Sequence, residues 1–186
     1  MRFEELFTEL TPEEMMDSFN EFKLVGKDFY AITAGKAEHY NSMVGSGGGF
    51  GLIFRKPGTW CFIREDRYTL ELINQAQSYT LSYFPEEHKK QLLALASGCG
   101  KSCNKMQESE LTGIVTPSGN ISFEEAKLIV ECKLTAQLTG EPESFCTQEA
   151  RDYINAAYAE EHVYRKIVFG EISHVWIKKR CNKGCA

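Results

Sequence analysis

Short runs of β-forming residues recur at close intervals along this chain and limit the folds that it can adopt. The runs are rich in aromatic and β-branched residues and are bounded by turn-forming residues, which predicts buried strands. They cover residues 29–34, 59–63, 79–84, 125–138 and 164–177, the last as a strand pair or as one strand bent around Gly170. Helices are predicted between them, beginning near Pro12 and Pro85 and covering residues 67–77 and 149–158. The pattern predicts a mainly β fold with added α-helices, a closed or half-closed barrel, and disfavours a parallel βαβ sheet.

Length and charge narrow the class of protein further. A chain of 186 residues is long enough for one domain with its own core, and we expect residues 1–186 to form that domain, with a loose tail over residues 178–186. The 21 Lys and Arg residues against 26 Asp and Glu residues give a net charge of −5, which argues against nucleic acid and anionic membranes as partners. No apolar run is long enough to span a membrane or to act as a signal peptide, so a cytoplasmic location is predicted.

The seven cysteines are unusual for such a chain. Free thiols in a reducing cytoplasm are the favoured interpretation, and Cys61 and Cys132 fall inside predicted strands as core residues. A repeated spacing leaves a zinc or iron–sulfur site, or a redox-active thiol, as alternatives, because cysteines four apart on a helix can share one metal ion. The cysteines with that spacing are Cys99 and Cys103, and Cys181 and Cys185. Zinc sites usually use closer pairs and the second pair lies in the tail, so no metal site is predicted.

A glycine-rich stretch from Gly45 to Gly51 separates two of the β-forming runs. Five of its seven residues are glycine, so a regular element there would carry a large entropic cost. Glycines also let the backbone approach a ligand and expose N–H donors to an anion or to the polar edge of a flat heterocycle. The stretch lacks the Lys-Ser/Thr pair of a phosphate-binding P-loop. A plain flexible turn or a strand bulge is an equally good interpretation.

A second segment, from Arg64 to Thr69, places two arginines and hydroxyl groups at the end of a strand and the start of a helix. Guanidinium groups and a helix N-terminus favour a phosphate group. The alternative is a surface charge cluster in which Glu65 and Asp66 neutralise the arginines. Two further basic residues, Lys101 and Lys105, lie four positions apart after the helix that begins at Pro85.

Together these segments, in this order, resemble the flavin reductase-like family of FMN-binding split barrels, and its flavoredoxin branch in particular. The resemblance covers most of the chain and depends on the ordered set, because none of the motifs is specific by itself. The segments are Asn41-Ser42-Met43, Ser46-Gly47-Gly48-Gly49, Arg55-Lys56-Pro57, Arg64 to Thr69, Ser82-Tyr83-Phe84-Pro85, and Ser97-Gly98 through Lys105.

The resemblance implies a homodimer of six-stranded Greek-key barrels with FMN bound noncovalently near the interface. The residues implied to face the isoalloxazine ring and ribityl chain, mostly through backbone groups, are Asn41, Ser42, Met43, Val44, Ser46, Gly47 and Gly48. Those implied to surround the phosphate end are Arg64, Arg67, Tyr68, Thr69, Lys101 and Lys105.

Two departures from the family pattern bear on activity. Gly47 stands where close relatives have Trp, so one wall of the pocket is missing or is supplied by Phe50. Arg165 stands five residues before Gly170, where many reductases place a His near the nicotinamide, which weakens the case for NAD(P)H. His39 lies beside the glycine-rich stretch as a candidate proton donor, although a structural hydrogen bond is the favoured role. His39 and Arg165 are thus the weak catalytic candidates.

The sequence predicts an FMN-binding oxidoreductase that accepts electrons from NAD(P)H and passes them on through the flavin. An FMN electron-transfer protein without NAD(P)H activity, reduced by a redox partner protein, is the first alternative. The second alternative is a split barrel that binds another ligand or a metal and has no redox function.

Overall fold

The computed structural model of the protein describes residues 2–96, 105–158 and 163–179. Its strands are β1 (Phe7–Leu10), β2 (Tyr30–Lys36), β3 (His39–Gly45), β4 (Gly49–Ile53), β5 (Lys56–Arg64), β6 (Ser78–Tyr83), β7 (Gly113–Val115), β8 (Ile121–Phe123), β9 (Leu128–Thr139) and β10 (Arg165–Lys178). Its helices are α1 (Phe3–Leu6), α2 (Pro12–Ser18), α3 (Glu21–Gly26), α4 (Tyr68–Ala76), α5 (Lys89–Ala94), α6 (Lys105–Ser109) and α7 (Gln148–Tyr158), with short 3₁₀ turns at Glu86–His88 and Pro142–Ser144.

Eight of the strands form one antiparallel sheet. The order is β3-β2-β6-β9-β10-β5-β4, and β1 pairs with the end of β10. Strands β7 and β8 form a separate hairpin. The predicted mainly β fold with added helices is confirmed. The observed sheet differs from the predicted six-stranded barrel in two ways: it has eight strands, and it is not closed.

The additional strands come partly from the glycine-rich stretch, which the sequence predicts as irregular. That prediction was wrong for Gly49 and Gly51, which lie in β4 and pair with β5. A Cβ on Gly49 would lie 2.4 Å from the Trp60 indole, so the glycine makes room for the ring, and ladder pairing offsets its entropic cost. The turn into β5 falls at Phe54 and Arg55, both with positive φ, and not at the following Pro-Gly pair.

Strand β10 lies in the middle of the sheet and pairs with β9 along one edge and with β5 and β1 along the other. It is a single bent strand, with a register shift against β9 at Phe169 and Gly170. A Cβ on Gly170 would lie 2.4 Å from the Tyr79 hydroxyl, so only glycine fits at the bend. Lys178 ends this strand, whereas residues 180–186 of the predicted tail lie outside the described residues.

The core consists of two clusters, one on each face of the sheet. The first holds the tyrosines Tyr30, Tyr79 and Tyr83 with Cys61 and Cys132, so the prediction that both cysteines are core residues is confirmed. The second lies under α1, α5 and the β7–β8 hairpin. Its aromatic members are Phe3, Phe7, Phe84, Phe123 and Trp176.

A buried carboxylate fastens the β7–β8 hairpin to the sheet. Glu131 of β9 is fully buried and accepts hydrogen bonds from Trp176 Nε1 at 2.6 Å, Thr116 Oγ1 at 2.9 Å and Asn120 Nδ2 at 2.6 Å. Three donors replace the water that burial removes from the carboxylate. The sequence contains no local pattern that pairs these positions.

The helices cover the sheet and are short. Thr11 and Glu14 form a reciprocal capping box at α2, as the Thr-Pro-Glu-Glu segment suggests. Helix α4 follows β5 directly and packs against β2 and β3. Within the described ranges, no helix combines the length and the apolar character needed to cross a membrane.

Candidate functional site

The contact between β3 and the first turn of α4 joins the two sequence segments that suggested a ligand site. Asn41 Nδ2 donates to Thr69 Oγ1 at 2.8 Å, and both residues are buried. His39 Nε2 and the Tyr68 hydroxyl share a hydrogen bond at 2.5 Å on the exposed side of the same contact. The residues lie 28 and 29 positions apart in the chain, so the sheet and the helix bring them together.

The remaining predicted residues of β3 are largely used within the fold. The Ser42 side chain is fully buried and hydrogen-bonds to Thr33 Oγ1 at 2.8 Å. Met43 and Val44 are half-buried and pack against the two core clusters. Of the described strands, only β2 pairs with β3, which also contacts helices α4 and α6.

The loop from Ser46 to Gly48 is held in place on both sides. Gly47 N–H donates to Val25 O at 2.7 Å, and the Tyr30 hydroxyl donates to Gly47 O at 2.7 Å. Gly48 has φ of +125°, and a Cβ there would lie 2.2 Å from Trp60 O, so this position requires glycine. The loop is therefore a fixed turn and not a flexible one.

A cleft of about 410 Å³ and a larger one of about 910 Å³ open on the surface. The larger cleft lies between the glycine-rich loop, the outer face of β5 and β10, and α7. Its walls include Ser46 and Gly47 of the loop, Phe62 of β5, Arg165 of β10 and Tyr153 of α7. Two predicted flavin-facing residues and one of the two weak catalytic candidates thus share one cleft.

Phe62 lies where a side chain at position 47 would point. A Cβ on Gly47 would point at the Phe62 ring at 3.6 Å. Phe50 packs against the interior cluster, with its ring 6.4 Å from that of Tyr83, and lines the smaller cleft. Of the two expectations, a missing wall or a wall supplied by Phe50, the second does not apply to the larger cleft, because alternation along the strands points Phe50 and Phe62 to different clefts.

The arginines of the second segment lie at the end of β5. Arg64 forms a two-pronged ion pair with Asp66 at 3.1 and 2.8 Å, and Arg67 Nε lies 4.0 Å from the same carboxylate. Asp66 thus offsets part of the positive charge, as the alternative interpretation held, whereas Glu65 pairs with Lys166 at 2.9 Å. Arg67 is the N-cap residue of α4, and its side chain makes no capping hydrogen bond to the helix.

Lys105 begins α6, and its buried ammonium group donates to Leu95 O at 3.3 Å. The other predicted basic residue, Lys101, lies outside the described residues. The same holds for the cysteines with the four-residue spacing, Cys99, Cys103, Cys181 and Cys185. Within residues 2–96, 105–158 and 163–179, no group of His, Cys, Asp or Glu is arranged to hold a metal ion.

The two buried thiols, those of Cys61 and Cys132, are unreactive at neutral pH. Burial raises the pKa of the Cys61 thiol to about 12 and raises that of Cys132 well above its usual range. Burial also raises the pKa of the Tyr30, Tyr79 and Tyr83 hydroxyls. Neither cysteine is a thiolate at neutral pH, so neither acts as a nucleophile there.

Sequence reasoning missed the aromatic residues that line the cleft from Phe145 and α7. One side of α7 faces the cleft with Tyr153, Ile154 and Tyr158. In the sequence, this spacing is typical of any amphipathic helix and does not indicate a ligand site. Only the fold places this face opposite Phe62.

No family model and no curated protein matches the chain. Solved structures with the FMN-binding, flavin reductase-like split-barrel fold do match it. An FMN-binding domain of a flavin reductases-like enzyme from Shewanella baltica OS155 matches with a TM-score of 0.62 at 13% identity, over 92% of this chain and 76% of that one. Flavoredoxin of Desulfovibrio vulgaris matches with a TM-score of 0.61 at 17% identity, over 82% and 70%. A Streptomyces globisporus NADH:FAD oxidoreductase matches with a TM-score of 0.58 at 10% identity, over 82% and 78%. The chain has the split-barrel fold of these flavoproteins.

Proposed function

We propose that the protein binds FMN and works as an oxidoreductase. The observation that carries this proposal is the cleft of about 910 Å³ formed by the glycine-rich loop and the outer face of β5. Phe62 lies in its wall, and Arg64 lies two residues further along the same face of the strand, followed by Arg67 at the start of α4. FMN has a flat ring at one end and a phosphate group at the other. The ring matches the aromatic wall, and the phosphate group matches the arginines that follow it.

The residues present fit FMN in size and in chemistry. The cleft is near the upper end of the range of roughly 300–1,000 Å³ that small-molecule sites occupy. Phe62 and Tyr153 offer aromatic surface, the loop lets backbone groups approach the ligand, and Arg64 and Arg67 offer positive charge. The same fold in neighbours that bind FMN supports this assignment.

Bound FMN supplies hydride and single-electron transfer between a donor and an acceptor. The residues bind and orient it. Tyr30 and Val25 bind both backbone groups of Gly47, so the loop is held in shape before the ligand arrives. The Asn41–Thr69 hydrogen bond holds β3 against the phosphate end. The hydrogen bond to Tyr68 holds the His39 ring on the exposed side of this contact.

Titration with FMN and with riboflavin, followed by flavin fluorescence, tests the assignment. Arg67→Ala is expected to weaken FMN binding by about tenfold, because a charge-assisted bond to the phosphate is lost, and to leave riboflavin affinity unchanged. Lys133→Ala, an exposed lysine on β9, is the matched control. An equal loss of affinity for FMN and riboflavin in Arg67→Ala would place the phosphate elsewhere. A protein that does not bind FMN at all would refute the proposal.

We further propose NAD(P)H as the electron donor, which the NADH-dependent neighbour supports. The competing candidate is an electron carrier reduced by a partner protein, which Arg165 in place of the expected His favours. Stopped-flow mixing of FMN-loaded protein with NADH and with NADPH separates them. Bleaching of the flavin within seconds supports the reductase, and its absence over minutes supports the carrier.

A homodimer is proposed from an exposed apolar surface around β4. Phe22, Leu52 and Phe54 are 85%, 79% and 75% exposed, and β4 is an end strand of the sheet with β5 as its only described partner. Apolar side chains on an open edge are suited to a second copy. Leu52→Asp should shift the mass measured by light scattering from dimer to monomer, whereas Leu93→Asp, at an exposed leucine on α5, should not.

We place this activity in the cytoplasm. The three described cysteines, Cys61, Cys132 and Cys146, are all free thiols, and Cys146 is exposed, which suits a reducing compartment. Fractionation of the native cells with an antibody against the protein tests this location.

A further inference from the structure

We propose that the cleft beside the glycine-rich loop takes a flat aromatic monocarboxylate as its second ligand, with the carboxylate on Arg165. The inference rests on the proposed function in one respect, because it names the class of molecule on which the flavin would act. The binding itself depends only on residues that the structure describes.

The ring part of the assignment comes from the walls of the cleft. Phe62 of β5 lies on one side, and Phe145, Tyr153 and Tyr158 lie on the other. The Tyr153 side chain is 66% exposed although it lines the cleft, so its ring has little protein to pack against. Helix α7 buries only Tyr158 and packs mainly on the 3₁₀ turn before it, so the space between helix and sheet is open to a ligand. Aromatic walls facing across a gap are suited to a flat ring.

The volume leaves room for such a ring beside a flavin. The cleft is near the top of the range of roughly 300–1,000 Å³ for sites that hold one drug-sized ligand. An isoalloxazine ring on the loop side, at Ser46 and Gly47, leaves the α7 side for a second ring. Arg165 lies in the wall that both regions share.

The carboxylate part comes from Arg165. Its guanidinium carbon lies over the Tyr158 ring, 5.1 Å from the ring centre, and this cation–π contact positions the group in the wall of the cleft. Within the described residues it forms no ion pair, because the neighbouring Glu65 is paired with Lys166 at 2.9 Å. A planar guanidinium that is positioned in this way matches the two oxygens of a carboxylate.

The charge of the cleft favours a monoanion. Arg165 is the only cationic residue in the described wall, and Glu149, at the start of α7, is the only acidic one. Arg64 lies opposite Arg165 in the β5–β10 ladder, with its guanidinium group paired to Asp66, and Arg67 is the residue directly before α4; these two arginines are assigned to the FMN phosphate.

Fluorescence titration with 2-naphthoate and its neutral isostere 2-naphthamide tests the proposal, on protein with and without FMN. We expect 2-naphthoate to bind at least about tenfold more tightly than 2-naphthamide, and Arg165→Met to remove that preference. Arg165→Lys should restore part of it. Lys133→Met makes the same charge change outside the cleft and should leave the preference intact. Equal binding of the two ligands to the unmodified protein, or unchanged preference in Arg165→Met, overturns the proposal.

A second variant covers the case in which Arg165→Met does not fold. Tyr153→Ala alters an exposed side chain and should weaken both ligands by a similar factor, since it removes ring contact and not charge. Unchanged affinity in this variant also counts against the cleft. FMN binding is measured on the same samples by absorbance. If FMN binds and 2-naphthoate does not, this inference fails and the proposed function stands, whereas the reverse outcome refutes the proposed function alone.

Discussion

Asn41 and Thr69 form a buried side-chain hydrogen bond at 2.8 Å that joins the end strand of the sheet to the first turn of α4. Thr69→Val leaves the Asn41 amide unpartnered in the interior, and we expect it to lower the free energy of unfolding by about 2 kcal/mol. A double-mutant cycle with Asn41→Ala, followed by urea unfolding, should give a coupling of about 1 kcal/mol. Thr8→Val on the exposed side of β1 is the control. Strict additivity of the two changes would show that the bond contributes nothing.

The pair Tyr30 and Tyr83 offers a matched comparison, because their rings lie in contact at 5.1 Å in the same core. The Tyr30 hydroxyl donates to Gly47 O, whereas the Tyr83 hydroxyl is buried with no hydrogen-bond partner among the described residues. Tyr30→Phe should cost about 1 kcal/mol and weaken FMN binding, and Tyr83→Phe should be neutral or stabilising. Calorimetric melting of both variants measures this, and equal costs would contradict it.

Gly47 and Gly48 differ in what a side chain would meet. Alanine at Gly48 places its Cβ against the Trp60 carbonyl at 2.2 Å, whereas alanine at Gly47 lies at an ordinary 3.6 Å from Phe62. Both positions have positive φ, which costs about 1–2 kcal/mol for a residue with a Cβ. We expect Gly48→Ala to lower the unfolding free energy by at least about 2 kcal/mol more than Gly47→Ala, as measured in urea. A larger loss for Gly47→Ala would show that the loop is not held as described.

The Glu131 carboxylate should be required for the β7–β8 hairpin to dock. Glu131→Gln turns one acceptor into a donor that faces other donors, and we expect a loss of about 3 kcal/mol. The intrinsic fluorescence of Trp176, which donates to this carboxylate, should report the change. Glu143→Gln, at an exposed position, provides the control. A loss below about 1 kcal/mol would mean that packing alone holds the hairpin.

Alkaline pH should unfold the protein through its buried thiols and phenols. The pKa of Cys61 is about 12 in the folded state against 9.0 for an unperturbed thiol. The unfolded chain therefore releases its proton first, so the stability from this group is complete below pH 9.0 and is lost between pH 9.0 and about 12. Each such group contributes a slope of about −1.4 kcal/mol per pH unit in that window. Urea unfolding at several pH values should show a shallower slope in Cys61→Ala, and an unchanged slope would contradict the assignment.

The sequence predicted those parts of the fold that local chemistry decides. The buried strands β5 and β6, helix α4 between them and the capping box at Thr11 follow from residue preferences within a few positions. It predicted β9 and β10 for the same reason. It did not predict β4, because glycines by themselves are poor strand formers. In the folded protein, pairing with β5 and packing against the Trp60 ring hold them in a strand. It also missed the β7–β8 hairpin, whose attachment depends on a carboxylate in β9.

The candidate site also has one part that adjacent residues decide and one part that the fold decides. The sequence by itself determined that a glycine-rich loop and an arginine-bearing helix start exist in this order, since each depends on residues that are adjacent in the chain. Only the tertiary structure decided that Asn41 meets Thr69, that Phe62 and not Phe50 faces Gly47, and that Arg165 and α7 close the same cleft. These relations join positions far apart in the chain, and they exist because strand order and side-chain alternation bring one face of β5 and β10 under α7.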